Sequence, residues 1–366
     1  MLAPPTAEYR VTAGLGWPLD VTVDPRIGWP NVPRETLDWP TKASAEPPFS
    51  GPAPTATASH VIEIPPGPRR ARFDEDEFGS PAVEEDPPAV SRTATLAAAA
   101  LPAPALPRVL VVANQKGGVG KTTTSVNLAA ALALGGLSVL VVDLDPQGNA
   151  TTALGVDHPP GTPGTYEVLM SGAVLADHVV DSPEARNLKV LPATIDLAGA
   201  EIELVSIVAR ENRLKRALRA YLQDHLVDYV FLDCPPSLGL LTLNALVAAN
   251  EILVPIQCEY YALEGVTQLL RTIDLVKGEL NNELRLSTVL LTMFDARTKL
   301  AAQVADEVRQ HFPAETLPSV IPRSVRISEA PSYGQTVLTY QPSSAGAISY
   351  LEAAQEIARR GVEESA

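Results

Sequence analysis

A short apolar run, Val109 to Ala113, passes into Asn114-Gln115-Lys116-Gly117-Gly118-Val119-Gly120-Lys121-Thr122-Thr123 and then into a helical pattern through Val126, Leu128, Ala129 and Leu132 that stops at Gly135-Gly136. A buried strand, a glycine turn and a helix in that order confine the chain to few folds. Glycines 117, 118 and 120 can take positive φ and bring backbone N–H groups close to an anion, while the helix aims its positive end at the same place. Lys121 is spaced to reach β and γ phosphates, and the Thr122 hydroxyl to ligate Mg²⁺. The ordinary phosphate-loop pattern wants a glycine where Gln115 stands, so this is a tighter variant with a second lysine, Lys116, to which spacing alone gives no role.

The same alternation continues along the chain. Ser138 to Val142, Leu188 to Leu191, Tyr229 to Leu232, Ile252 to Pro255 and Leu286 to Thr292 read as strands. Asn212 to Gln223, Leu240 to Ala248, Leu263 to Lys277, Leu300 to His311 and Ile348 to Arg360 read as helices. Strand–helix repetition over about 250 residues implies one doubly wound α/β domain with a mostly parallel sheet of the P-loop NTPase kind. Its expected extent is 107–362, followed by a short acidic tail, 363–366.

The first 106 residues do not share this pattern. Twenty of the 34 prolines precede Arg108, and acidic runs stand at Asp74-Glu75-Asp76-Glu77 and Glu84-Glu85-Asp86. Such a composition cannot hold uninterrupted helices or central strands and is expected to be disordered. Three Trp-Pro pairs, at 17–18, 29–30 and 39–40, are candidate anchors for a partner or for the chain's own core.

Two strand ends carry carboxylates: Asp143 and Asp145 after Val139-Leu140-Val141-Val142, and Asp233 after Tyr229-Val230-Phe231-Leu232. Open α/β sheets gather strand carboxyl ends around the ligand crevice, so all three can face Mg²⁺ and a γ-phosphate. One would hold the metal through water and one would orient the attacking water. The net charge of −15 excludes a globally basic nucleic-acid binder, so any DNA contact must be local. Cys234 and Cys258 are too far apart in sequence for a compact metal motif and read as reduced core thiols. No run reaches the length of a membrane span, and the start of the chain has no signal-peptide pattern, so a cytoplasmic location is expected.

Five separated motifs resemble the ParA branch of the ParA/MinD family of deviant Walker A ATPases. They are residues 114–124, Asp143-Leu144-Asp145-Pro146-Gln147-Gly148-Asn149, Asp233-Cys234-Pro235-Pro236-Ser237, Met293-Phe294-Asp295-Ala296-Arg297-Thr298, and Ile321-Pro322-Arg323-Ser324-Val325-Arg326. The resemblance implies an ATP- and Mg²⁺-dependent hydrolase that forms an ATP-sandwich homodimer. Lys116 would cross to the partner subunit's phosphates. Residues 117–123 with Lys121 would hold ATP, Asp145 would position the hydrolytic water, and Asp233 and Asp143 would reach Mg²⁺ through water, with Thr122 a direct ligand. Pro322 and Ser324 would line the base, although relatives often carry asparagine where Ser324 stands.

Family members of this type bind DNA without sequence preference through residues corresponding to Arg297 and Arg326, and segregate chromosomes or plasmids with a ParB-type partner that stimulates hydrolysis. The resemblance therefore implies nucleoid association. The motifs equally allow a positioning ATPase for a protein cargo such as a chemoreceptor cluster or microcompartment. The acidic end of the chain argues against the membrane-binding MinD type, and the proline-rich start against an N-terminal winged helix.

Overall fold

The computed structural model describes residues 100–259 and 262–363. The expected disorder of residues 1–99, their Trp-Pro pairs and the final residues 364–366 lie outside the described residues.

Eight strands form one sheet: β1 Arg108–Val112, β2 Val139–Asp143, β3 Val180–Asp181, β4 Leu188–Leu191, β5 Tyr229–Asp233, β6 Glu251–Gln257, β7 Arg285–Phe294 and β8 Thr316–Pro322. Their order is β3-β4-β2-β5-β1-β6-β7-β8, parallel throughout except for the antiparallel edge pair of β3 and β4. Six longer helices are α1 Lys121–Leu134, α2 Arg213–Asp224, α3 Leu240–Ala248, α4 Ala262–Glu279, α5 Lys299–His311 and α6 Ala345–Glu363.

Alternate residues of the central strands feed two separate cores. Val109, Val111, Leu140, Val142, Val230 and Leu232 pack with α2, α3, α4 and α5, whereas Leu110, Val112, Val139, Val141 and Phe231 pack with α1 and α6. With both faces covered, a central strand must be apolar at every position, which is why β1 reads as a continuous run and not as an alternation.

Two strands were absent from the expected set. β3 has two residues, too few for any pattern, and β8 carries Pro318 and Pro322, which the edge of a sheet tolerates. The tail boundary also moves: Leu101 N–H donates to Gly135 O at 2.9 Å, and a Cβ at Gly135 would lie 2.5 Å from the Leu101 side chain. Residues from 101 thus already rest against the end of α1, ahead of the expected start at 107. The C-terminal helix begins three residues before the expected Ile348 and runs to Glu363.

The amino ends of the strands are tied by a buried ion pair. Arg108 is sequestered beneath α6, donating through Nε and Nη2 to Glu251 at 2.7 and 2.5 Å and through Nη1 to Ile357 O at 2.8 Å. Burial alone would weaken the Arg108 charge, but the Glu251 carboxylate more than restores it, and the guanidinium is held above its ordinary value.

Candidate active site

The turn between β1 and α1 is anchored on both sides. The Asn114 side chain accepts from Lys116 N–H at 3.0 Å and donates to Pro255 O at 2.9 Å, fastening the loop to β6. The Thr292 hydroxyl donates to Val119 O at 2.9 Å and fastens it to β7. Gly118 and Gly120 have φ of +73° and +89°, as the anion-cradle reading requires; Gly117 does not take the positive φ expected of it. A Cβ at Gly117 or Gly118 would meet nothing within 4 Å, so both glycines border open space.

The two lysines diverge. Lys121 is buried, and among the described residues its Nζ makes only a long 3.4 Å contact to Lys116 O. Burial lowers its proton affinity, and Asp233 works against that. Lys116 points elsewhere, to Glu259 Oε2 at 3.3 Å. Glu259 also receives Gln257 Nε2 at 2.5 Å and Arg323 Nη2 at 3.2 Å, so this carboxylate gathers two cations beside the loop.

Asp143 and Asp233 are direct cross-strand partners and both are fully buried. Asp143 accepts from Thr151 N–H at 2.9 Å and Thr151 Oγ1 at 2.7 Å through Oδ2, and from Asp145 N–H at 3.1 Å through Oδ1. It therefore braces the turn that presents Asp145, a task beyond the metal role the resemblance implies. Asp145 is almost buried and accepts from Gln147 N–H at 3.0 Å. Asp233 Oδ1 accepts from Ser125 Oγ at 2.8 Å, whereas its buried Oδ2 has no hydrogen-bond partner among the described residues. Burial, then the mutual repulsion of the pair, pushes the Asp233 carboxyl well up, and burial raises Asp143. An unpaired carboxylate oxygen, a nearby threonine at 122 and a buried lysine beside a loop whose glycines border open space fit a magnesium-bound polyphosphate.

The raised carboxyls have a stability consequence. A folded-state pKa above the unfolded value means the folded chain binds more protons, so stability falls as pH rises from the ordinary carboxylate range toward neutrality. In the absence of nucleotide, Asp233→Asn, which keeps the Ser125 contact, should melt several degrees higher than the parent at pH 8. The gain should shrink toward pH 5; an equal or lower melting temperature at pH 8 would refute the repulsion.

Beyond the loop, a cleft of about 130 Å³ is lined by Gly120, Thr123, Met293, Pro322, Ser324 and Tyr350 among others, placing both expected base-contact residues on one wall. Met293 holds a left-handed φ of +51°, uncommon for a non-glycine residue and consistent with strain kept at a site. Arg297 and Arg326 stand just past the carboxyl ends of β7 and β8, exposed on the rim. Each is engaged locally: Arg297 with Asp295 at 2.9 and 2.8 Å, and Arg326 with Glu329 at 3.0 Å. Cys234 and Cys258 are buried free thiols, as expected.

Asn114, Ser125, Thr292, Glu259 and Tyr350 were not singled out from sequence. Asn114 lies inside a quoted motif and Ser125 directly follows it; Thr292, Glu259 and Tyr350 come from distant segments, and only folding brings them to the site.

Residues 107–286 match the family model of an AAA domain. The chain is 53% identical over 254 residues to the sporulation initiation inhibitor protein Soj of Bacillus subtilis, spanning 69% of this chain and 99% of Soj. It is 49% identical over 258 residues to the chromosome partitioning protein ParA of Myxococcus xanthus, spanning 70% of this chain and 90% of that protein. Among solved structures, one described as cobyrinic acid a,c-diamide synthase from Mycobacterium smegmatis, with bound ADP and magnesium, is 43% identical with a TM-score of 0.60 and covers 70% of this chain and 95% of its own. The cell division ATPase MinD of Pyrococcus furiosus is 26% identical with a TM-score of 0.57, covering 69% and 99%.

Proposed function

This chain belongs to the ParA/Soj family of partitioning ATPases, which use ATP and Mg²⁺, and from that premise we propose a specific cycle for it. ATP converts single chains into a sandwich homodimer that holds nucleoid DNA without sequence preference, and a ParB-type partner bound at a centromere stimulates hydrolysis and release. The ATPase domain, expected over residues 107–362, takes in Leu101 at one end and Glu363 at the other, and it works in the cytoplasm. Among the described residues no helix is long and apolar enough to cross a membrane.

The supporting observation is the divergence of the two lysines. Lys121 is buried at its own loop, whereas Lys116 leaves the loop and pairs with Glu259, a half-exposed carboxylate. A lysine spared from its own phosphates is available to those of a second chain, where its charge becomes part of the site only on dimerisation. ATP then acts by differential affinity, favouring the dimer over the single chain.

The chain's own residues divide the remaining work. The backbone N–H groups of 117–123 and Lys121 hold the phosphates, Thr122 and the free oxygen of Asp233 face the metal side, and Asp145, braced by Asp143, orients the attacking water. Bound Mg²⁺ would supply neutralisation of phosphate charge there. Pro322 and Ser324 flank the base. At Arg297 and Arg326, DNA phosphates replace the local carboxylates, an exchange that should weaken as salt rises.

Sedimentation velocity with ATP tests the cycle. Asp145→Ala should accumulate as a DNA-binding dimer with phosphate release reduced by about a hundredfold or more. Lys116→Ala should bind ATP yet stay monomeric, and an ATP-dependent dimer of that variant would end the reading. Separately, Arg297→Glu with Arg326→Glu should dimerise normally and lose retention on random-sequence duplex DNA in a filter-binding assay. Undiminished retention would move the DNA surface elsewhere.

A further inference from the structure

Helix α2 carries a basic face that the nucleotide cycle does not use. Its buried stripe is Leu214, Leu218 and Tyr221. Away from that stripe stand Lys215, Arg216 and Arg219, the last three and four residues beyond the other two, and among the described residues none of the three forms an ion pair or a side-chain hydrogen bond. Arg297, Arg309, Arg323, Arg326 and Arg359, by contrast, each meet a carboxylate.

Beside that face runs a groove of about 390 Å³. Its apolar lining includes Val168, Leu175, Ala217, Ala220 and Tyr221. Val174, 63% exposed, forms part of the opposite lip. Arg213, another lining residue, is fixed by donating to Leu169 O and Met170 O at 2.6 Å each. Arg216 lines the groove and belongs to the basic face as well; Asp224 and His225 also line it.

We propose that this groove and the Lys215–Arg216–Arg219 face form a docking surface for an acidic, amphipathic peptide segment of a partner protein. Charge complementarity selects the partner: uncompensated guanidinium groups suit carboxylates in bidentate geometry. The apolar lining distinguishes a peptide from a nucleic acid, because an aliphatic or aromatic anchor gains by leaving water there and a phosphate backbone does not. Helix α2 packs on the face of the sheet opposite α1 and α6 and contributes no residue to the phosphate loop or the base cleft, so the surface can be occupied throughout the ATP cycle.

The test uses the full chain and a short fluorescein-labelled peptide in which leucines at every third or fourth position alternate with aspartate and glutamate, read by fluorescence anisotropy. The parent chain should bind it saturably and more weakly at high salt. Arg216→Glu with Arg219→Glu should weaken binding about tenfold or more. Ala220→Trp, which fills the groove without touching the charges, should weaken it comparably. Circular dichroism and basal ATP turnover of both variants should match the parent. Absence of saturable binding by the parent, or equal affinity of both variants for the peptide, overturns the proposal. So does loss of random-sequence duplex DNA binding in the double charge reversal with peptide affinity intact, which would assign the face to nucleic acid.

Discussion

Lys121→Ala will reduce ATP turnover by about a hundredfold or more, the scale of losing one preorganised donor at a developing charge, and will weaken nucleotide binding in parallel. The expectation follows from where the lysine sits. Its ammonium is buried beside a loop whose glycines border open space, and among the described residues its one hydrogen bond is a long contact to a carbonyl of the same loop. A cation held this way has given up water without gaining a strong internal partner, so a polyphosphate is its natural counter-ion. Phosphate release and titration with a fluorescent ATP analogue measure the two effects separately. Turnover within about threefold of the parent would mean that another cation, with Lys116 the nearest candidate, carries the phosphate charge.

The second large effect lies at the opposite end of the sheet. Glu251→Ala should cost about 3–5 kcal/mol of folding stability, the range for stranding one member of a buried ion pair. Arg108, whose Nη1 also donates to the Ile357 carbonyl, would lose both strong hydrogen bonds to Glu251 and remain nearly inaccessible to water. Because that carbonyl belongs to α6, the damage should spread to the packing of α6 against α1. Urea unfolding followed by circular dichroism reads the loss as a lower midpoint with an unchanged slope. A cost below about 1 kcal/mol would show that the pair is solvated in the folded chain. Activity should survive wherever the protein is still folded, since neither residue approaches the phosphate loop.

These two predictions draw on different amounts of sequence information. The phosphate site was legible because its parts are local: Lys116 through Thr123 occupy one turn, and the conformations of Gly118 and Gly120 follow from the residue type. The strand-end position of Asp143, Asp145 and Asp233 was legible as well, because apolar runs bounded by acidic turns mark strand ends and a parallel sheet collects those ends on one side. What each carboxylate does there was not. Sequence treats the three alike, whereas the fold commits Asp143 to Thr151 and to the Asp145 backbone, and leaves Asp233 with an unpaired oxygen.

Lys116 shows the same division at a single residue. The chain supplies a second lysine at the loop, and the resemblance supplies a reason for it, but only tertiary contacts show its ammonium drawn to Glu259, 143 residues away. The Arg108–Glu251 pair was likewise invisible, since a charged residue at the head of a strand reads as solvent-facing until α6 is seen to cover it.

The sequence by itself determined the class of fold, the phosphate loop and the family, because periodicity, glycine conformation and contiguous motifs are properties of neighbouring residues. Tertiary structure alone decided which polar groups are buried, paired or left unsatisfied. Those outcomes depend on what distant segments bring within about 3 Å of one another, and hydrogen bonds and ion pairs are formed or lost over that range.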